Sequence, residues 1–161
     1  MSDRQVEISK ILGKLKELTP AGYVTGLQVN YTTPRFMFHT YSKKWLEYYS
    51  QHGFVMSDPT VAWCFENLGS CRWSELNDPD NVLDAAAEHN MRYGAVYSTD
   101  SGGSRSMAGF ARNDREFTDQ EIADMCELVE EMHKLTMKQS EIPPETVQRL
   151  KTMSIMVTHP G

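Results

Sequence analysis

Residues 41–73 read YSKKWLEYYSQHGFVMSDPTVAWCFENLGSCRW. Tyr41, Trp45 and Tyr49 recur every fourth position, which lines their side chains along one face of a helix over about 41–51. Gly53 supplies a stop for that helix. Asp58-Pro59 follows, with Pro59 suited to the first turn of a second helix that carries Val61 to Leu68 and closes at Gly69-Ser70. Trp73 ends the segment. Three rings with polar tips beside one carboxylate suit a small amphipathic ligand that brings its own donors and acceptors. Aromatic rings at helical spacing are also what an ordinary core uses, so the pattern by itself leaves both readings open.

Upstream, Val6, Ile8, Ile11, Leu12, Leu15 and Leu18 mark an amphipathic first helix ended at Thr19-Pro20. Gly22 to Tyr31 alternates loosely and reads as a strand. Thr32-Thr33-Pro34 breaks it, and Arg35 to Thr40 reads as a connecting run. Downstream, Ser74 to Asp80 is a polar turn region and Val82 to Asn90 an alanine-rich helix. Asp78, Asp80 and Asp84 are expected to solvate the loop and cap that helix. Tyr93–Thr99 and Arg105–Arg112 read as strands around Asp100 to Ser104, whose glycines suit a hairpin. Gly109 marks a bulge or a place where something packs against backbone. Thr118 and Glu121 form a capping box that opens the longest helix, to about Gln139. Pro143-Pro144 starts a short helix through Leu150, and Ile155 to Gly161 reads as a linker. The succession predicts an α+β layer fold with an antiparallel sheet covered by helices.

The chain has 161 residues, 40 % hydrophobic and 24 % charged, which suits one domain with a sizeable core. Its net charge of −6, with no basic cluster, leaves it poorly placed to hold phosphates or an anionic membrane surface. Gln5 to Leu18 alternates charged and apolar residues, unlike a signal peptide. No run approaches the ~20 apolar residues of a membrane span. Cys64, Cys71 and Cys126 lack paired spacing and suit reduced thiols, so a cytoplasmic protein is expected. Catalysis finds no motif: there is no G-x-S-x-G, and no spacing pairs a cysteine with His39, His52, His89, His133 or His159. Metal spacing is likewise absent, and Gly102-Gly103 lacks the rest of a phosphate loop. No enzyme, metal or cofactor is expected.

Taken together, Tyr41, Trp45, Tyr49, Asp58, Pro59 and Trp73, with Gly94 at the start of a strand, resemble the autoinducer-binding domain of LuxR-type quorum-sensing transcription regulators. The likeness rests on Tyr-x-x-x-Trp-x-x-x-Tyr, on Asp-Pro thirteen residues after Trp45, and on Trp73 fifteen after Asp58. It extends from the first helix to the long capped one. It implies an α-β-α sandwich with a five-stranded antiparallel sheet, holding an N-acyl-homoserine lactone between sheet and helices. Carried over, Trp45 would donate to the lactone carbonyl, Tyr41 to the acyl carbonyl, and Asp58 would accept from the ligand amide. Tyr49 and Trp73 would wall the head group, with Pro59 and Gly94 structural beside it. Family members often present a hydroxyl from the later strands; Ser106 is near the right place, although an ungapped register puts Met107 or Phe110 there. The interval from Trp73 to Gly94 is shorter than in the family. For the acyl chain, Leu27, Val29, Val61, Val96, Met107 and Phe110 are candidate lining. Asp58, standing before a proline, also suits a helix cap.

On this reading residues 1–142 form the sensor, and 143–161 a short helix and linker toward a C-terminal helix-turn-helix domain that this sequence does not contain. DNA would be met only through that domain, and a homodimer is expected. Ligand burial would couple to folding. Two other readings stand beside it: a ligand-independent dimerisation domain that uses the same aromatics as core, and a sensor of this fold for a different small molecule.

Overall fold

Where apolar residues recur at three- and four-residue intervals the chain is helical, and where they alternate it is extended. The computed structural model describes residues 3–137 and 144–158, with side chains through 153. In order come α1 (Asp3–Leu18), β1 (Gly22–Asn30), β2 (Thr33–His39), α2 (Lys43–Gln51), α3 (Pro59–Glu66), β3 (Gly69–Arg72), α4 (Val82–Glu88), β4 (Tyr93–Thr99), β5 (Arg105–Arg112), α5 (Asp119–Met137) and α6 (Pro144–Thr158). The strands form one antiparallel sheet in the order β2-β1-β5-β4-β3. Helices cover both faces, giving the expected α-β-α sandwich.

Strand alternation divides the core in two. On one face Tyr23, Leu27, Phe36, Phe38, Ala95 and Phe110 pack with residues of α1, α5 and α6, among them Ile8, Leu15, Met125, Val129 and Leu150. On the other, Val96 and Ala111 pack with Trp45, Phe54, Cys64, Trp73, Val82, Ala86 and Met91, from α2 through α4 and the segments beside them. The neighbours Ala95 and Val96 thus belong to different cores.

Several boundaries differ from the sequence expectation. The run read as a connection is the edge strand β2. Its Phe36 and Phe38 point into the core between exposed Arg35 and Met37, and Pro34 is tolerated because an edge strand need not donate on both sides. The presumed close at Gly69-Ser70 opens β3, only four residues long. Helix α6 continues to Thr158, through most of the stretch read as linker; residues 138–143 and 159–161 lie outside the described ones. Of the two readings for Gly109, close packing holds, since a Cβ there would lie 3.3 Å from Val24 Cγ1, whereas the bulge sits in β1, where the register with β5 shifts between Gly26 and Val29. Gln28, at φ 54°, there donates from Nε2 to His133 O at 2.9 Å and Thr136 Oγ1 at 3.0 Å, fastening the bulge to α5.

The caps follow the sequence closely. Glu121 N–H donates to Thr118 Oγ1 at 3.1 Å, and Thr118 N–H to Glu121 Oε1 at 2.8 Å. Asp78 accepts from Val82 N–H at 2.9 Å and Leu83 N–H at 2.7 Å, capping α4. Arg115 also donates to Glu121 at 2.8 and 3.0 Å.

The Arg115 bond first, and the Thr118 N–H after it, hold the Glu121 carboxyl down to about 2 from an ordinary value of 4.5. A depressed folded-state value contributes stability that is complete above the unfolded value and lost as pH falls toward the folded one. Denaturant midpoints measured from about pH 6 to about pH 2 should therefore fall less steeply below about pH 4.5 in Glu121→Gln than in the native chain.

Candidate functional site

The aromatic residues of α2 meet the sheet through a packed group of rings. Ser42 Oγ accepts from Trp45 N–H at 3.2 Å and caps the helix, which turns Trp45 inward until it is 5 % exposed. Its ring centroid lies 5.7 Å from Tyr49, edge to face, 6.2 Å from Tyr48 and 6.3 Å from Phe54. His89, just past α4, lies 5.1 Å from Trp45 and 4.9 Å from Tyr48. On its other contacts Tyr48 stacks on His52 at 3.9 Å. Edge-to-face and offset arrangements of this kind add to what area burial alone supplies.

Asp58 ties two helices together. As the N-cap of α3 it accepts from Thr60 N–H at 2.9 Å and Thr60 Oγ1 at 2.6 Å through Oδ1. Through Oδ2 it accepts from Tyr49 Oη at 2.7 Å. Burial, then the nearby Asp58 charge, then this bond keep the Tyr49 phenol protonated far above its ordinary range. Tyr41 is raised as well, by burial first and Asp58 second. Both phenols therefore remain donors at any pH the protein would meet.

Two glycines let rings reach the sheet. At Gly94 in β4, a Cβ would fall 2.2 Å from carbons of the Trp73 indole, so only glycine admits that ring. At Gly22, which opens β1, a Cβ would fall 2.7 Å from Cδ1 of the Tyr41 ring. Trp73 Nε1–H is buried and finds no acceptor among the described residues. An unpaired buried donor costs about 1–3 kcal/mol, so this group is poised for an acceptor.

Of the residues singled out in the sequence, Tyr41, Trp45, Tyr49, Trp73, Val96 and Met107 share one cluster. Asp58 joins it through Tyr49, Pro59 opens α3 beside it, and Gly94 lies under Trp73. Val61 and Val29 are half-buried on α3 and β1, outside the buried core of this cluster. Leu27, Phe110 and Ser106 are not brought to it. Leu27 and Phe110 are buried in the opposite core against α1 and α5. Ser106 Oγ lies 2.6 Å from His133 Nδ1 of α5. The reason is alternation: in β5 every second side chain faces α5, and the even-numbered Ser106 and Phe110 are among those.

The structure adds Tyr48, Phe54, Thr60, His89 and Met91 to the neighbourhood. Tyr48, His52 and Phe54 stand within the same aromatic-rich segment and were open to inclusion. Nothing in sequence spacing points to His89. Burial raises the Cys64 thiol to about 12 and Cys126 to about 11, while Cys71, raised by burial and Glu75, is also about 11. Such thiols are scarcely ionised at neutral pH and make weak nucleophiles. Among the described residues, no group of three or more His, Cys, Asp or Glu could hold a metal ion, and no helix is long and apolar enough to cross a membrane.

A family model described as the autoinducer binding domain matches residues 23–135. The chain belongs to the LuxR-type autoinducer-binding domain family. That family is one of ligand-binding regulator domains and not of enzymes. No match is found among curated protein sequences. Among solved structures, this autoinducer-binding domain is similar to SdiA in complex with octanoyl-rac-glycerol, at 21 % identity and TM-score 0.65, covering 91 % of this chain and 63 % of that one. SdiA from Escherichia coli in another crystal form matches at 22 % identity and TM-score 0.64, covering 89 % and 66 %. CepR2 from Burkholderia cenocepacia, an N-acylhomoserine lactone dependent LuxR family transcription factor, matches at 16 % and 0.54, covering 85 % and 95 %. At these identities the likeness is one of fold, and the domain spans less than two thirds of the first SdiA chain's length.

Gly94→Ala should destabilise the domain by about 3 kcal/mol, roughly 10 °C in Tm, because the new methyl group must displace the Trp73 ring or bend β4. Thermal melting followed by tryptophan fluorescence checks this, and an unchanged Tm would contradict the ring placement.

Proposed function

We propose that this domain senses an N-acyl-homoserine lactone, buried between the sheet and α2–α4, and that ligand burial is coupled to folding and dimerisation. The observation that carries the reading is the polar set inside an otherwise apolar cluster. Asp58 offers acceptor oxygens, while Tyr41, Tyr49 and the unpartnered Trp73 N–H offer donors. A carboxylate only accepts and an indole only donates, so each suits one polarity of ligand group. The ligand amide donates to Asp58, sharing or displacing Tyr49. The lactone and acyl carbonyls accept from Trp45 and Tyr41. Val96 and Met107 line the acyl chain, with Val29 and Val61 at its margins.

Rings that pack on one another must part to admit a ligand. The coupling follows from this, since a ligand that restores their contacts and satisfies the buried polar groups stabilises the fold in proportion to its binding. In the proposed output, residues 1–142 sense and 143–161 lead toward a DNA-binding helix-turn-helix domain of a cytoplasmic homodimer, through which alone DNA is met. A second reading, a different acylated small molecule in the same place, is favoured by the SdiA complex with octanoyl-rac-glycerol.

The test is thermal melting against acyl-homoserine lactones of graded chain length. At a thousandfold excess over Kd the expected gain is about 4 kcal/mol, on the order of 10 °C in Tm. Trp45→Phe and Asp58→Ala should each remove most of it. If every lactone leaves Tm where it was, the rings serve as plain core.

A further inference from the structure

His89 is absent from the set of site residues that the family resemblance supplies, yet it packs against the centre of that set. Its Nδ1 lies 2.9 Å from Ala85 O. A carbonyl oxygen can only accept, so Nδ1 carries the hydrogen, and in the neutral ring Nε2 keeps the lone pair. The bond holds the Nδ1 edge against the residue's own helix, so Nε2 projects away from α4. The ring's contacts on the α2 side are Trp45 at 5.1 Å and Tyr48 at 4.9 Å. No described residue donates to Nε2.

This gives the ring cluster a second acceptor in addition to Asp58. An acyl-homoserine lactone carries one donor, its amide N–H, and Asp58 accounts for it; the lactone ring offers only acceptors. An imidazole lone pair next to Trp45 therefore gains nothing from a lactone and loses water when a ligand covers it. A head group bearing hydroxyls supplies the donor that Nε2 lacks, while the acyl carbonyl still meets the Tyr41 donor. Sites built to hydrogen-bond a hydroxyl discriminate strongly, because the analogue without it leaves a buried polar group unpaired.

We propose that His89 is a specificity-determining residue that accepts a hydrogen bond from a head-group hydroxyl, and that the site prefers an acyl chain on a hydroxylated head group, such as a monoacylglycerol, to the matched lactone. The inference rests on the ligand-sensing reading above and takes its second form, a different acylated ligand in the same place, over the lactone.

The experiment measures Kd of the purified chain for 1-decanoylglycerol and N-decanoyl-homoserine lactone, in the native sequence, His89→Phe and His89→Gln. Phenylalanine keeps the ring contacts and removes the acceptor; glutamine returns an acceptor near the position of Nε2. The expected result is tighter binding of the glycerol ester by the native chain. His89→Phe should then weaken the ester by about five- to tenfold, the worth of one hydrogen bond, with the lactone within about twofold of native. His89→Gln should recover most of the loss. Equal weakening of both ligands by His89→Phe would reduce His89 to a packing role and overturn the proposal. Binding of the lactone with no binding of the ester would overturn it and leave the sensor reading standing, whereas binding of neither would remove both. His89→Leu serves in place of His89→Phe if that variant does not fold.

Discussion

Helices lie on both faces of the five-stranded sheet, so the interior strands have no side chain that can be spent on solvent. That constraint sorts the chain into two cores. Odd-numbered residues of β4 and even-numbered residues of β5 meet α1, α5 and α6, and the alternate residues meet α2 to α4. The first core is built mainly from aliphatic side chains and phenylalanines, with Tyr23 among them and a polar fastening between Gln28, Ser106 and His133. The second is built from rings with polar tips. The largely aliphatic packing and the cluster of polar-tipped rings are thus held apart by the sheet itself.

Within the second core the carboxylate of Asp58 organises the local geometry. It caps α3 and receives the Tyr49 hydroxyl from α2, so two helices share one set of lone pairs. A group that takes one of those lone pairs acts on both helices at once. The Trp73 ring sets the depth of the site: it reaches the β4 backbone only because Gly94 carries no side chain. These contacts give a physical route by which occupancy of a small site can bear on the order of a whole layer.

The fold likeness to SdiA and CepR2 holds at identities of 16–22 %. At that distance the likeness is one of layer order, and the side chains of the cluster are read from this chain alone.

By itself the sequence determined the elements whose signals are local. The strands Tyr93–Thr99 and Arg105–Arg112 were legible to the residue, as was the Thr118–Glu121 box, and the two helices between Tyr41 and Leu68 were legible to within about two residues, because capping and periodicity act over a few residues. The two edge strands were not, since β2 opens with Thr-Pro and β3 has four residues, and both owe their conformation to pairing with another strand. Only the tertiary structure decided which face each strand residue takes. It sent Leu27, Ser106 and Phe110 to α5, because register and the bulge at Gly26–Val29 depend on strands far apart in the chain. It also brought His89 to Trp45 across forty-four residues, a contact made by helix packing that no local pattern encodes.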